Sequence, residues 1–312
     1  MITTVTLNPA VDKTYTAKTI LPGQVNRTTS MIMMPGGKGI NVARVLNQYG
    51  FPVRAMGFFG GYAGHFIQDS VRELGIQCDF TMISGETRSN MNIMMEDHHV
   101  TEILEPGPTV TPDDMNQFLD QYQMALGDSS LVVLSGSIPA GVPSDIYATL
   151  TRKAKERSIK VLLDTSGEPL LYGLQEKPFL CKPNQNEMAY IVGKTLETMA
   201  DILAEAKKLQ QTGISRVLVS MGEKGLLAVE EEGYHVAKVE GINAVNTVAC
   251  GDSVIASFAM SLELSETMEQ AMRRAVSISA ANATTMESGQ IPMDVAKELM
   301  SRAEYEYVRF PR

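Results

Sequence analysis

Apolar runs about four residues long recur from residue 107 onward, each closing an amphipathic stretch. This alternation restricts the chain to helices packed on a mostly parallel sheet. Leu131-Val132-Val133-Leu134, Val161-Leu162-Leu163 and Val217-Leu218-Val219 are apolar throughout, as strands covered on both faces must be. Helical periods over 113–126, 144–157 and 199–211 alternate with them. Residues 226–229 and 234–239 alternate more like an antiparallel hairpin turned at Glu232-Gly233. From Gly251 to Ala303 the pattern is mostly helical. The expected fold class is α/β.

The first hundred residues open with a strand, a loop and a helix over 41–48, but two pieces do not fit a doubly wound sheet. Residues 12–34 and 88–105 are rich in Thr, Met, Ile and Val, with turn signals at Leu21-Pro22-Gly23 and Glu96-Asp97-His98-His99. They are expected to form a small separate sheet. Such a sheet cannot bury its own apolar face, so it must cover the larger unit or a second subunit. A lid that doubles as a homodimer surface meets both needs. No repeat or Pro-rich linker separates the parts, which makes residues 1–312 a single domain with one cleft between core and lid.

The 27 Lys and Arg against 36 Asp and Glu leave a net charge of −9. A bulk basic surface for nucleic acid or anionic membrane is thereby excluded, and an anionic small-molecule substrate needs a local basic site. Cys78, Cys181 and Cys250 fit neither a disulfide framework nor a zinc pair, which points to a reducing cytoplasm. The opening Met1–Leu7 stretch reads as a strand rather than an export signal, and no apolar run approaches the ~18 residues of a membrane helix.

Three segments offer chemistry. Pro35-Gly36-Gly37-Lys38-Gly39-Ile40-Asn41 joins a strand to a helix. Its glycines let backbone N–H groups approach a ligand, and Lys38 adds a charge. It is neither a Walker A loop nor a dinucleotide fingerprint, and a plain tight turn reads the same way. Asn246-Thr247-Val248-Ala249-Cys250-Gly251-Asp252-Ser253 runs into an apolar helix. There the backbone N–H groups of 249–252 can form an anion hole and Asp252 can take a proton from a hydroxyl, although first-turn capping would use the same residues. Lys182-Pro183-Asn184-Gln185-Asn186-Glu187 and Ser220-Met221-Gly222-Glu223-Lys224-Gly225 follow expected strands at the edge where α/β sheets bind ligands. Asn184 and Glu187 offer hard oxygens for Mg2+, or equally a helix cap.

Other features carry less. His98 and His99 would face opposite sides of a strand, which disfavours a joint metal site. Asn26-Arg27-Thr28 and Asn282-Ala283-Thr284 match a glycosylation acceptor without a secretory context. The 20 methionines serve as pliable core or interface filler.

The ordered set Asn8-Pro9-Ala10-Val11-Asp12, Gly36 to Asn41, Thr87-Arg88-Ser89-Asn90, Ser135-Gly136-Ser137-Ile138-Pro139, Lys182-Pro183-Asn184 with Glu187, Ser220 with Gly222, and Gly251-Asp252-Ser253 resembles the ribokinase-like, PfkB-type sugar kinases. It is most similar to the branch of 1-phosphofructokinases and tagatose-6-phosphate kinases. Residues 101–107 lean to the tagatose enzymes, and Asp12-Lys13-Thr14 to the fructose enzymes. The resemblance covers nearly the whole chain and implies a three-layer α-β-α core with a β-sheet lid. It also implies ATP and Mg2+ as cofactors and a ketohexose monophosphate as substrate, with fructose 1-phosphate foremost.

By the same resemblance Asp252 is the general base, and the N–H groups of Ala249, Cys250, Gly251 and Asp252 hold the moving phosphoryl. Asp12 and Asn41 bind sugar hydroxyls under the Gly36-Gly37 loop, with Asn90 and Ser137 alongside. Lys38, Arg88 and Arg27 meet the substrate's phosphate. Lys182, Asn184, Ser220, Gly222, Gly225 and Thr247 match nucleotide-side positions, and Asn184 with Glu187 would hold magnesium through waters. One departure stands out. The family usually has Gly-Ala-Gly-Asp or Gly-Ser-Gly-Asp where this chain has Ala249-Cys250-Gly251-Asp252, so Ala249 must keep φ below zero or carry strain. A helix N-terminus would favour Cys250 as thiolate, whereas burial and Asp252 favour an inert thiol. A catalytically weak sugar-phosphate sensor and a nucleoside kinase of the same fold are the rival readings.

Overall fold

The computed structural model describes residues 1–95 and 100–311; the expected turn at 96–99, with His98 and His99, lies outside the described residues. In chain order the first half comprises β1 (Ile2–Thr6), β2 (Ala10–Ala17), β3 (Ser30–Gly36), α1 (Lys38–Gln48), β4 (Val53–Phe59), α2 (Gly61–Glu73), β5 (Gln77–Met82), β6 (Arg88–Met95), β7 (Val100–Leu104), α3 (Pro112–Ala125) and β8 (Leu131–Ser135). There follow α4 (Ile146–Lys155), β9 (Lys160–Asp164), α5 (Gly167–Gln175), β10 (Leu180–Cys181), α6 (Gln185–Val192), α7 (Met199–Gln211), β11 (Arg216–Ser220), β12 (Leu226–Val229), β13 (Gly233–Lys238), α8 (Cys250–Glu263), α9 (Met268–Ala283), α10 (Met293–Arg302) and β14 (Glu304–Arg309).

The main sheet has ten strands in the order β14-β13-β12-β11-β10-β9-β8-β1-β4-β5. Pairing is parallel from β11 through β5, and antiparallel among β11, β12, β13 and β14. The all-apolar strands are explained by two cores. In β8, Leu131 and Val133 join the cluster under α1, α8, α9 and α10, while Val132 and Leu134 join the cluster under α3, α4, α5 and α7. Each buried aliphatic side chain stabilises by roughly 1.5–3 kcal/mol. A one-residue slip exchanges every face at once, so the register is strongly fixed.

The second sheet runs β3-β2-β6-β7. Its strands lie within and slightly beyond the expected segments, starting at Ala10, while 18–29 is a connection rather than strand. Register places Asp12 beside Asn90 on one face; Lys13, Met33, Met91 and Ile103 share the other. On that outer face Met33 is 41% exposed and Ile103 47% exposed. Two boundaries differ from expectation. Helix α1 begins at Lys38 rather than Asn41, and β14, a short edge strand rich in Glu and Tyr, has no apolar run to announce it.

Candidate active site

Asp252 lies in the first turn of α8 and is 5% exposed. Asn41 of α1 donates Nδ2 to Asp252 Oδ2 at 2.9 Å. Burial pushes the Asp252 carboxyl up to about 6; nearby Lys38 opposes the rise and Asp164 adds to it. A carboxyl so poised can accept a proton near neutrality.

Asp164, the last residue of β9, is fully buried and was not singled out from the sequence. Its Oδ1 pairs with Lys38 Nζ at 3.1 Å and Lys182 Nζ at 3.4 Å. Burial alone would raise its pKa, but the two ammonium groups hold it below the usual carboxylate value. Burial likewise works against the Lys38 charge, yet Asp164, Asp252 and Glu187 together raise its pKa. Lys38 thus stands among the carboxylates around Asp252. Lys182 is buried, and a side chain at Gly251 would begin 3.2 Å from its Nζ, so this ammonium abuts the start of α8.

The N–H groups of Ala249, Gly251 and Asp252 donate to no described backbone or side-chain acceptor, whereas Cys250 N–H donates to Thr247 O at 3.3 Å. The anion hole thus has three free donors, and Cys250 is removed from the expected set. Ala249 adopts φ 65°, ψ 4°, the left-handed conformation in which an alanine is strained. Burial pushes the Cys250 thiol up despite hydrogen bonds to Ser279 O and from Asn282, which supports the inert-thiol reading.

On the second sheet, Asn90 Nδ2 donates to Asp12 Oδ1 at 2.9 Å, and burial raises the Asp12 carboxyl with Asn90 opposing. Gly36 is required here because a Cβ would fall inside the Asp12 carboxylate. Gly37 carries the chain through φ 104° into α1. Arg88 donates to the Asn8 and Glu105 carbonyls and, at 3.4 Å, to Ser137 Oγ. Asn8 Oδ1, Asn41 Oδ1, Asn90 Oδ1 and Asp164 Oδ2 are buried without a hydrogen-bond partner. Unsatisfied buried acceptors mark a site completed by a ligand rich in donors, such as a polyol. Arg27 is exposed on the β2–β3 connection, and no hydrogen bond or ion pair joins it to this group.

On the other side of Asp164, Asn184 bridges to Ser220. Asn184 Oδ1 accepts from Glu187 N–H at 2.9 Å and Glu187 Oε2 accepts from Asn184 N–H at 2.8 Å, a complete capping box. The Asn184 oxygen caps the helix and keeps its second lone pair. Glu187 stays within electrostatic reach of Lys38. Gly222 and Gly225 flank a tight turn that packs against β13, and Thr247 is exposed just before α8. No cluster of three His, Cys, Asp or Glu that could cage a metal occurs among the described residues. A Mg2+ ion here would be held through water by Glu187 and Asn184 and would offset phosphate charge. That suits Mg2+, which keeps its waters. The three free N–H donors and Lys182 fit a nucleotide's terminal phosphates.

Sequence reasoning missed Asp164, although an acid directly after an apolar strand at the ligand-binding edge was a usable signal. It quoted Asn8 without giving it a role. Nothing in the sequence indicated which oxygens would remain unpaired.

A buried carboxyl of raised pKa, free N–H donors at a helix start and a polar pocket against the second sheet fit a kinase for a small hydroxylated substrate. The pfkB family carbohydrate kinase model matches residues 3–294, and the chain belongs to that family. It is 37% identical over 289 residues to a 1-phosphofructokinase of Bacillus subtilis, spanning 93% of this chain and 94% of the relative. It is 34% identical over 307 residues to a tagatose-6-phosphate kinase of Staphylococcus epidermidis, covering 97% and 99% of the two chains. A solved structure of a possible 1-phosphofructokinase from Thermotoga maritima superposes with a TM-score of 0.90 at 30% identity, over 98% of this chain and 99% of the other. No helix among the described residues is long and apolar enough to cross a membrane.

Proposed function

We propose that this sugar kinase transfers a phosphoryl group from ATP to fructose 1-phosphate, giving fructose 1,6-bisphosphate. The reading rests on Asp252, a buried carboxyl raised to about 6, held by Asn41 beside three free N–H donors. Bound ATP supplies the phosphoryl group, with Mg2+ on its phosphates. Asp252 takes the proton of the acceptor hydroxyl. The donors of Ala249, Gly251 and Asp252, with Lys182 and Lys38, offset the charge on the moving group. Asp12, Asn90 and Asn41 orient the sugar, and Arg88 with Ser137 meets its phosphate. ADP release measured over fructose 1-phosphate, fructose 6-phosphate, tagatose 6-phosphate and adenosine tests the reading. A preference for any acceptor other than fructose 1-phosphate overturns it. Residues 101–107 favour tagatose 6-phosphate as the second reading. The complete base and cradle disfavour a mere sensor, and Arg88 disfavours a nucleoside acceptor.

Arg88→Ala is expected to raise the KM for the sugar phosphate about 10- to 100-fold while the KM for ATP moves little, since charged hydrogen bonds are worth ~1.5–3 kcal/mol. Lys38→Met should instead lower kcat, because Lys38 stands beside Asp252. Steady-state kinetics in both substrates separate the two; a sugar-phosphate KM effect from Lys38→Met would return that residue to the phosphate pocket.

The outer lid face, with Met31, Met33 and Ile103 exposed, supports a homodimer formed through the lid. Met33→Glu is expected to weaken the dimer and lower activity together. Light scattering checks this, and a strict monomer in the unmodified protein contradicts it.

A further inference from the structure

Asn282, in the last turn of α9, is 1% exposed, and its amide ties the start of α8 to the loop after α9. Its Nδ2 donates to Val248 O at 2.7 Å and to Cys250 Sγ at 3.4 Å. Its Oδ1 accepts from Gly289 N–H at 2.8 Å. The segment it holds is a tight turn closed by Cys250 N–H on Thr247 O, with Ala249 at φ 65°, ψ 4° in the third position. With Val248 at negative φ, those angles fit a type II turn, which ordinarily takes glycine or asparagine there. An alanine would relax by flipping the Val248–Ala249 peptide into a type I turn, whose third residue has negative φ.

The flip is what Asn282 opposes. Peptide planarity makes Val248 O and Ala249 N–H point in opposite directions. Holding the oxygen against α9 therefore fixes the N–H away from α9, unpaired, at the start of α8. A flip would reverse this donor and break the 2.7 Å bond in one motion. We propose that Asn282 is a positioning residue for phosphoryl transfer, holding the Val248–Ala249 peptide so that Ala249 N–H remains available to the moving group. The proposal rests on reading Ala249, Gly251 and Asp252 as the phosphoryl cradle.

A double-mutant cycle between Asn282→Ala and Ala249→Gly tests it, read on kcat, on both KM values and on melting temperature. Removing one such donor costs about 10²- to 10³-fold in rate, and a turn that flips only part of the time costs less. Asn282→Ala is thus expected to lower kcat about 10- to 100-fold with the sugar-phosphate KM nearly unchanged. The loss should be several-fold smaller in the Ala249→Gly background, where glycine takes positive φ without strain. If Asn282→Ala alone does not fold, recovery of folded protein in the double variant, with kcat close to that of Ala249→Gly, also supports the proposal. Additive effects on kcat and melting temperature overturn it and leave the cradle reading intact. Coupling in melting temperature while neither substitution alters kcat also overturns it, and there the cradle reading has failed.

Discussion

Asp252→Asn is expected to lower kcat by ~10²–10⁴ while sugar-phosphate and ATP binding stay nearly intact, the usual range for losing a general base. The amide keeps the size of the carboxyl and a contact to Asn41, so the loss falls on proton removal. In the unmodified enzyme the active form of Asp252 is the carboxylate. As pH falls through about 6 this form is protonated, and kcat should drop about tenfold per unit below that point. The variant should lack this limb. Folding stability moves the opposite way. An unfolded aspartate titrates near 3.9, so between about 4 and 6 only the folded protein binds this proton, and Asp252 costs stability above pH 6. Two units correspond to a penalty on the order of 2–3 kcal/mol. Asp252→Asn should therefore melt higher than the unmodified chain at pH 8. An effect confined to KM would reject the catalytic role, and an unchanged pH profile would reject the base.

Asp164→Ala should be the most damaging substitution away from the base. It leaves Lys182, 4% exposed at its side chain, as an uncompensated buried ammonium, and it frees Lys38. Breaking a buried pair by removing one partner costs ~3–5 kcal/mol. The partial exposure of Lys38 puts the expectation at the lower end. About 3 kcal/mol lowers the melting temperature by roughly 4–6 °C in a protein of this size. Activity should fall by about 10² or more, because both ammonium groups lose the anchor that aims them. Scanning calorimetry and initial rates check this. A melting temperature within 2 °C of the unmodified protein, with near-normal kcat, would show that the lysines hold their places without Asp164.

The parallel half of the fold was legible because its strands lie buried on both faces, so β8, β9 and β11 appear as unbroken apolar runs. The second sheet was legible by exclusion, as β-rich segments unable to join the first. β14 was not, because an exposed edge strand needs no apolar pattern and Glu304 to Arg309 pairs through its backbone. In the candidate site, motif and resemblance named Asp252, Asp12 and Asn90, and the structure buries all three. The place of Lys38 did not follow from either, since its partner Asp164 lies 126 residues away. The Asn184–Glu187 spacing was ambiguous from the outset. A capping box and a metal pair use the same residues, and the structure shows the capping box complete.

The lid's central pair, β2 and β6, runs parallel with Asp12 and Asn90 bonded across 78 residues. Parallel strands cannot meet through a short turn, and loop-closure entropy is lost before their contacts repay it. The chain between them folds as β3, α1, β4, α2 and β5 and returns with Arg88 beside Ala10 and Met95 beside Ala17. The Asp12 pocket therefore exists only when the two strands have been set side by side, and a chain caught before that point leaves β2 and β6 as unpaired, aggregation-prone strands.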